Sequence, residues 1–133
     1  MKEWLSALKV AKDIVRGGIS AYKAGEMVDA LIAKSVGDYD AVLTENERDL
    51  YEQYKNATDE DKKANLRLAY LDSLEDNLSL PENFRMEVKD KAREYRNAEN
   101  FALESMENTM MEYADTEEDK SIIKNTVSDL KLK

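Results

Sequence analysis

Neither cysteine nor histidine occurs anywhere in the 133 residues. The first absence excludes disulfides, thiolate nucleophiles, iron–sulfur clusters and cysteine-based zinc sites. The second removes the commonest metal ligand and the side chain best suited to proton transfer near neutrality. Glycine occurs four times and proline once, too little turn punctuation for a chain of many short strands. There is no glycine-rich phosphate loop and no Gly-Lys-Ser/Thr. Ser20 follows Gly18, but Tyr22 stands where a nucleophile elbow needs its second glycine.

Long apolar runs are also missing. None exceeds four residues, as in Ala30-Leu31-Ile32-Ala33, whereas a signal-peptide core needs about seven and a membrane span about twenty. The expectation is a soluble, cytoplasmic chain. Asn56-Ala57-Thr58 and Asn77-Leu78-Ser79 match the glycosylation triplet, but without an export signal they are chance matches.

What the chain has in abundance is charge, at 37% of residues, and the helix formers Ala, Leu, Glu, Lys, Arg and Met. The net charge is −9, unevenly spread. Residues 1–36 carry six Lys/Arg against four Asp/Glu, and residues 37–133 carry fourteen against twenty-five. Such a surface repels nucleic acid and favours cationic partners.

Helical periodicity dominates. Over 3–35, Trp4, Leu8, Val15, Ile19 and Tyr22 cluster on one face, and Ala7, Val10, Ala11, Ile14 and Ala21 widen it past half the circumference. A helix that apolar is expected at the centre of its domain, with Gly17-Gly18 as a possible kink. Ala11, Gly18 and Gly25 recur every seven residues, as close helix packing would use. Gly37–Leu43 reads as a loop. Thr44-x-x-Glu47 is a capping box, Thr58-x-x-Asp61 a second start, and Ser79-Leu80-Pro81 a stop followed by a start. Ala64, Leu68, Leu71, Leu74 and Leu78 form a core stripe. The period then persists from Phe84 to Tyr113, and Thr116 opens a last helix with Ile123, Val127 and Leu130 inward. The three long spans, near 33 residues each, correspond to roughly 50 Å if straight. The fold expected is one all-α domain over residues 1–133, an elongated bundle of four to five helices with a central N-terminal helix.

Candidate metal sites weigh little. Glu104-x-x-Glu107 lacks the histidines of a di-iron bundle, and Asp38-x-Asp40 lacks the glycine and terminal glutamate of a calcium loop. Four other features are candidates for function. Glu75 and Glu99 fall inside apolar stripes and are expected to be buried carboxylates. Lys9, Lys12, Arg16 and Lys23, with Lys2, form a basic stripe able to meet an acidic partner, an anionic surface or the acids of the same molecule. Arg85, Lys89, Arg93 and Arg96, interleaved with acids, read as an exposed ion-paired face. Leu66, Tyr70, Phe101 and Met111 fall off the main stripes, which suggests a second packing surface, either that of a core helix sandwiched between two neighbours or an oligomer or partner interface.

No catalytic, cofactor or metal residue emerges. The function expected is a non-enzymatic acidic helical module that docks on a partner protein, of the kind that occludes a basic site as inhibitors or immunity proteins do. Self-association as a structural homo-oligomer is the alternative. An enzyme using buried glutamate, tyrosine and lysine ranks third, and nucleic acid and membrane are not expected as partners.

Overall fold

A computed structural model describes residues 20–131, and all structural statements concern these residues. They form five α-helices and no strand: α1 (Ser20–Tyr39), α2 (Glu45–Asn56), α3 (Glu60–Asp76), α4 (Glu82–Tyr113) and α5 (Glu117–Leu130), with a 3-10 turn over Asp40–Val42. The all-α expectation holds. Lys2, Trp4, Lys9, Lys12, Arg16 and Gly17-Gly18 lie outside the described residues.

The helices begin where side chains satisfy orphan backbone N–H groups. Thr44 accepts from the Glu47 backbone N–H at 3.2 Å while Glu47 Oε1 accepts from the Thr44 N–H, also 3.2 Å, completing the predicted capping box. Thr116 caps α5 by accepting from the Asp119 N–H at 3.1 Å. The start of α3 falls one residue later than Thr58. Asp59 is the cap, taking the Asp61 N–H at 3.2 Å, and a carboxylate suits the positive end of the helix dipole. α4 begins directly after Pro81, whose carbonyl accepts the Arg85 N–H at 3.0 Å.

Two expectations about helix ends need correction. Gly37 does not open a loop. Its φ is negative, and α1 runs through it to Tyr39. Leu78 is not core. α3 ends at Asp76, and in the turn that follows Leu78 is 80% exposed, so the helical period no longer governs where it points.

The chain divides into two compact units. One is Lys23–Tyr95, and the described part of the other is residues 20–22 with 96–131. α1 and α4 each contribute to both. In the first unit the helices alternate in direction. Gly25 lies against Tyr95 and Lys34 over Phe84, so α1 and α4 are antiparallel. Glu47 meets Ser73, and Tyr51 meets Tyr70, so α2 and α3 are antiparallel too. The core is built from Val28 and Ile32 of α1, Leu71 and Leu74 of α3, and Phe84 and Val88 of α4, all nearly inaccessible.

α3 is the most enclosed helix of this unit. Ala64, Leu66, Arg67, Leu68, Tyr70, Leu71 and Leu74 are all buried. At about 100° per residue these span roughly 200° of its circumference. Leu66 and Tyr70 therefore pack as in a core helix enclosed by its neighbours, not as a partner interface. They extend a buried arc, because α3 packs on α1, α2 and α4 at once. α1, by contrast, buries Gly25, Val28, Leu31, Ile32 and Ser35 along one stripe only. Over its described length the first helix has one buried face, not several.

In the second unit the end of α4 pairs with α5. Leu103 and Met106 meet Ile123 and Val127, with Met110, Met111, Ala114 and Leu130 packed against them. Lys131 closes the hairpin on Glu104 at 3.0 Å.

Candidate functional site

Three places in the Lys23–Tyr95 unit concentrate polar chemistry or leave apolar surface open. The first is a cluster around Arg67. Its side chain is only 9% exposed. Nε and Nη2 donate to the two oxygens of Asp29 at 2.8 and 3.2 Å, and Nη1 donates to Tyr95 Oη at 3.0 Å. Tyr54 Oη donates to Asp29 Oδ1 at 2.5 Å. One guanidinium from α3 thus gathers an acid from α1 and, directly or through that acid, phenols from α2 and α4. Burial alone would lower the Arg67 pKa, but the hydrogen bonds and charge of Asp29, with Tyr95, outweigh it and leave it raised. Tyr54 is raised first by burial and then by the proton-accepting Asp29 beside it. The cluster is cationic arginine, anionic aspartate and two neutral phenols, each polar group answered by another.

Glu47 anchors a second network. This buried carboxylate accepts from the Thr44 N–H, from Ser73 Oγ at 2.8 Å and from Asn77 Nδ2 at 2.8 Å. Asn77 also donates to the Val42 carbonyl at 3.0 Å, tying the α1–α2 connection to the end of α3. Ser35 donates to the Ile32 carbonyl at 2.6 Å, which uses its only proton, so in the 2.7 Å contact with Tyr70 the tyrosine is the donor. Burial, above all, raises the Tyr70 pKa.

The open surface is a shallow groove of about 250 Å³ along α1 and α4, lined by Met27, Ala30, Leu31, Lys34, Glu87 and Lys91. Met27 is 43% exposed. Lys34 lies over the Phe84 ring, 5.4 Å from its centroid, and Lys91 pairs with Glu94 at 3.2 Å. The α1 positions 27, 30, 31 and 34 are spaced i, i+3, i+4, i+7. Met27, Ala30 and Leu31 make the apolar part of this row, beside the core stripe and sharing Leu31 with it, and Lys34 ends it.

The candidate residues read from the sequence are scattered among these features. Leu66 and Tyr70 belong to the core, at 8% and 0% exposure, which corrects their assignment to a partner-facing surface. Phe101 is exposed, and Met111 is half-buried against the α4–α5 cluster. The four do not make one surface. Glu99 is buried as expected, while Glu75 is only half-buried. Of the basic stripe, Lys23 is exposed on α1, and Lys9, Lys12 and Arg16 lie outside the described residues. Of the Arg85, Lys89, Arg93 and Arg96 stripe, Arg93 pairs with Asp90 at 3.1 Å, while Arg85 is half-buried and donates to the Leu80 carbonyl at 3.2 Å.

Asp29, Tyr54, Arg67 and Tyr95 were not read from the sequence as functional candidates, and Glu47 was read only as the capping-box partner of Thr44. Arg67 carried a signal, a cation between Leu66 and Leu68 inside an apolar stretch. Asp29, 38 positions away, carried none that links it to Arg67.

No protein-family model, curated protein or solved structure matches the chain. Among the described residues no helix is long and apolar enough to cross a membrane.

Proposed function

We propose that this chain is a non-enzymatic binding module that receives a protein partner on a preformed helical surface, the groove between α1 and α4. One observation carries the reading. Met27 and Ala30 present open surface beside the buried Leu31, at the spacing of a helix–helix contact, while the ionisable groups of the Arg67 cluster are committed to one another. A helix laid in a groove reads such a seam at i, i+3, i+4 and i+7. The two walls are held in place by the core beneath them, so docking needs little ordering of the receiving surface.

The test is paired capture from native lysate with wild type and a Met27→Glu/Ala30→Glu variant. Both positions are exposed, so the variant keeps the parent's circular dichroism and melting temperature. The expected result is a stoichiometric protein recovered by the wild type and lost by the variant. Recovery of the same protein by both, or of none by either, overturns the groove as the docking site. A shift in the chain's own mass between the two variants instead favours self-association.

A further inference from the structure

Independently of the α1–α4 groove, we infer a second docking surface at the end of the Lys23–Tyr95 unit where α1 and α3 stop. Its occupant is a lysine- or arginine-rich segment of a partner protein that carries an apolar anchor residue. The antiparallel helices bring the α1–α2 and α3–α4 connections together at this end, joined where Asn77 Nδ2 donates to the Val42 carbonyl at 3.0 Å. Val42 is 38% exposed and Leu78 80%. A fixed turn holds Leu78 outward, between the buried Asn77 and Leu80. The Asn77 side chain also donates to Glu47 at 2.8 Å and accepts from the Ser79 N–H at 3.0 Å, and the Asn77 carbonyl accepts from the Leu80 N–H at 3.1 Å. A bulky apolar side chain on a preformed turn needs little ordering when it is covered.

The charge around this apolar pair is one-sided. Residues 36–48 and 73–85, which make up this end, hold seven acids and two arginines. Both arginines are engaged: Arg48 bridges Asp40 at 2.9 Å, and the half-buried Arg85 donates to the Leu80 carbonyl at 3.2 Å. Asp38, Glu45, Asp76 and Glu82 are exposed. One turn further in, Lys34 and Lys89 are outnumbered by Asp49, Glu52, Asp72 and Glu87. At the opposite end, where α2 stops and α3 starts, residues 53–63 are balanced, with three lysines to three acids.

Helix starts account for Glu45 and Glu82, since acids suit the positive end of a helix dipole. They do not account for Asp38 and Asp76. These stand in the last turns of α1 and α3, at the negative end of each dipole, and neither turn holds a basic residue. Acids so placed cost stability, and a cationic ligand relieves that cost. Local rules broken in this way mark functional places. The sign of the surface turns away nucleic acid and anionic lipid, and two such ends repel each other.

Three synthetic peptides test this, each with one central leucine flanked by lysine, glutamine or glutamate. Each is titrated into the full-length protein while the Leu78 methyl signals are followed by NMR, and affinity is measured at low and high salt. The lysine peptide is expected to shift the Leu78 methyls and to bind about tenfold or more tightly than the glutamate peptide, with the gap closing as salt rises. Leu78→Ser should weaken the lysine peptide about fivefold or more at an unchanged melting temperature. Asp38→Asn/Asp76→Asn should shrink the preference for lysine over glutamate while the melting temperature holds or rises. The Met27→Glu/Ala30→Glu variant should bind the lysine peptide at least as tightly as the parent, which separates this surface from the groove. Equal binding of all three peptides, or loss of binding in the groove variant, overturns the inference. A lysine peptide whose affinity Leu78→Ser leaves unchanged reveals unspecific charge attraction and overturns it as well. A melting temperature lowered by several degrees in Asp38→Asn/Asp76→Asn makes those acids structural, with the same consequence. A dimer of the chain alone that Leu78→Ser disperses overturns the separate partner in favour of a second copy.

Discussion

Arg67 shows how much one side chain can hold together. Its guanidinium is nearly buried and reaches Asp29 with two hydrogen bonds and Tyr95 with a third. Removing one member of a fully buried pair costs about 3–5 kcal/mol; the Asp29 side chain left here is 36% exposed, so solvent offsets part of that cost. Arg67→Ala is therefore expected to lower the urea midpoint sharply. Arg48→Ala breaks a bridge to Asp40 whose partners are 49% and 62% exposed, and should cost under about 1 kcal/mol. The two phenols give a pH signature. Tyr54 and Tyr70 hold their protons more tightly in the fold than in the unfolded chain, chiefly through burial. Their contribution is complete below the unfolded tyrosine value of about 10 and is lost as pH rises above it. Stability should fall above pH ~10, and the combined Tyr54→Phe/Tyr70→Phe variant should show a shallower fall in denaturant titrations from pH 8 to 11.

At the level of the helices, local chemistry and neighbours divide the work. Thr44 and Thr116 were legible as caps because a cap needs only its own next three residues. Gly37 misled because glycine also terminates helices, and here it continues one. A Cβ built on Gly37 meets nothing within 4 Å, so Gly37→Ala should raise stability by about 0.5–1 kcal/mol, read from thermal and urea midpoints. α3 misled differently. Its Leu68/Leu71 stripe is real, but three neighbours extend its buried arc to Leu66 and Tyr70. Leu66→Glu with Tyr70→Ser should thus abolish cooperative unfolding, since it buries a charge and empties the space of a fully enclosed ring. Leu78→Ser, at a position the same periodicity assigned to the core, should change the melting temperature by no more than a degree or two.

For the whole chain, circular dichroism should report well over half helix, against about one third in average globular domains, because helices occupy most of the described residues. The charge is a property of the same scale. At net −9 the molecule repels its copies and draws cations.

The sequence by itself determined the class of the fold, the starts of α2 and α5, the long period of α4 and the burial of Glu99. Each of these depends on residues one to seven positions apart, the reach of a helical turn or two. Only the tertiary structure decided that Asp29 meets Arg67, that Glu47 binds Ser73 and Asn77, and that α3 is enclosed on three sides. Those contacts join residues 26 to 38 positions apart. No periodicity within one helix specifies which neighbour will cover which face. The groove belongs to the same kind of fact. Met27 and Lys34 were visible on α1, but their pairing with Glu87 and Lys91 exists only because α4 runs antiparallel beside it.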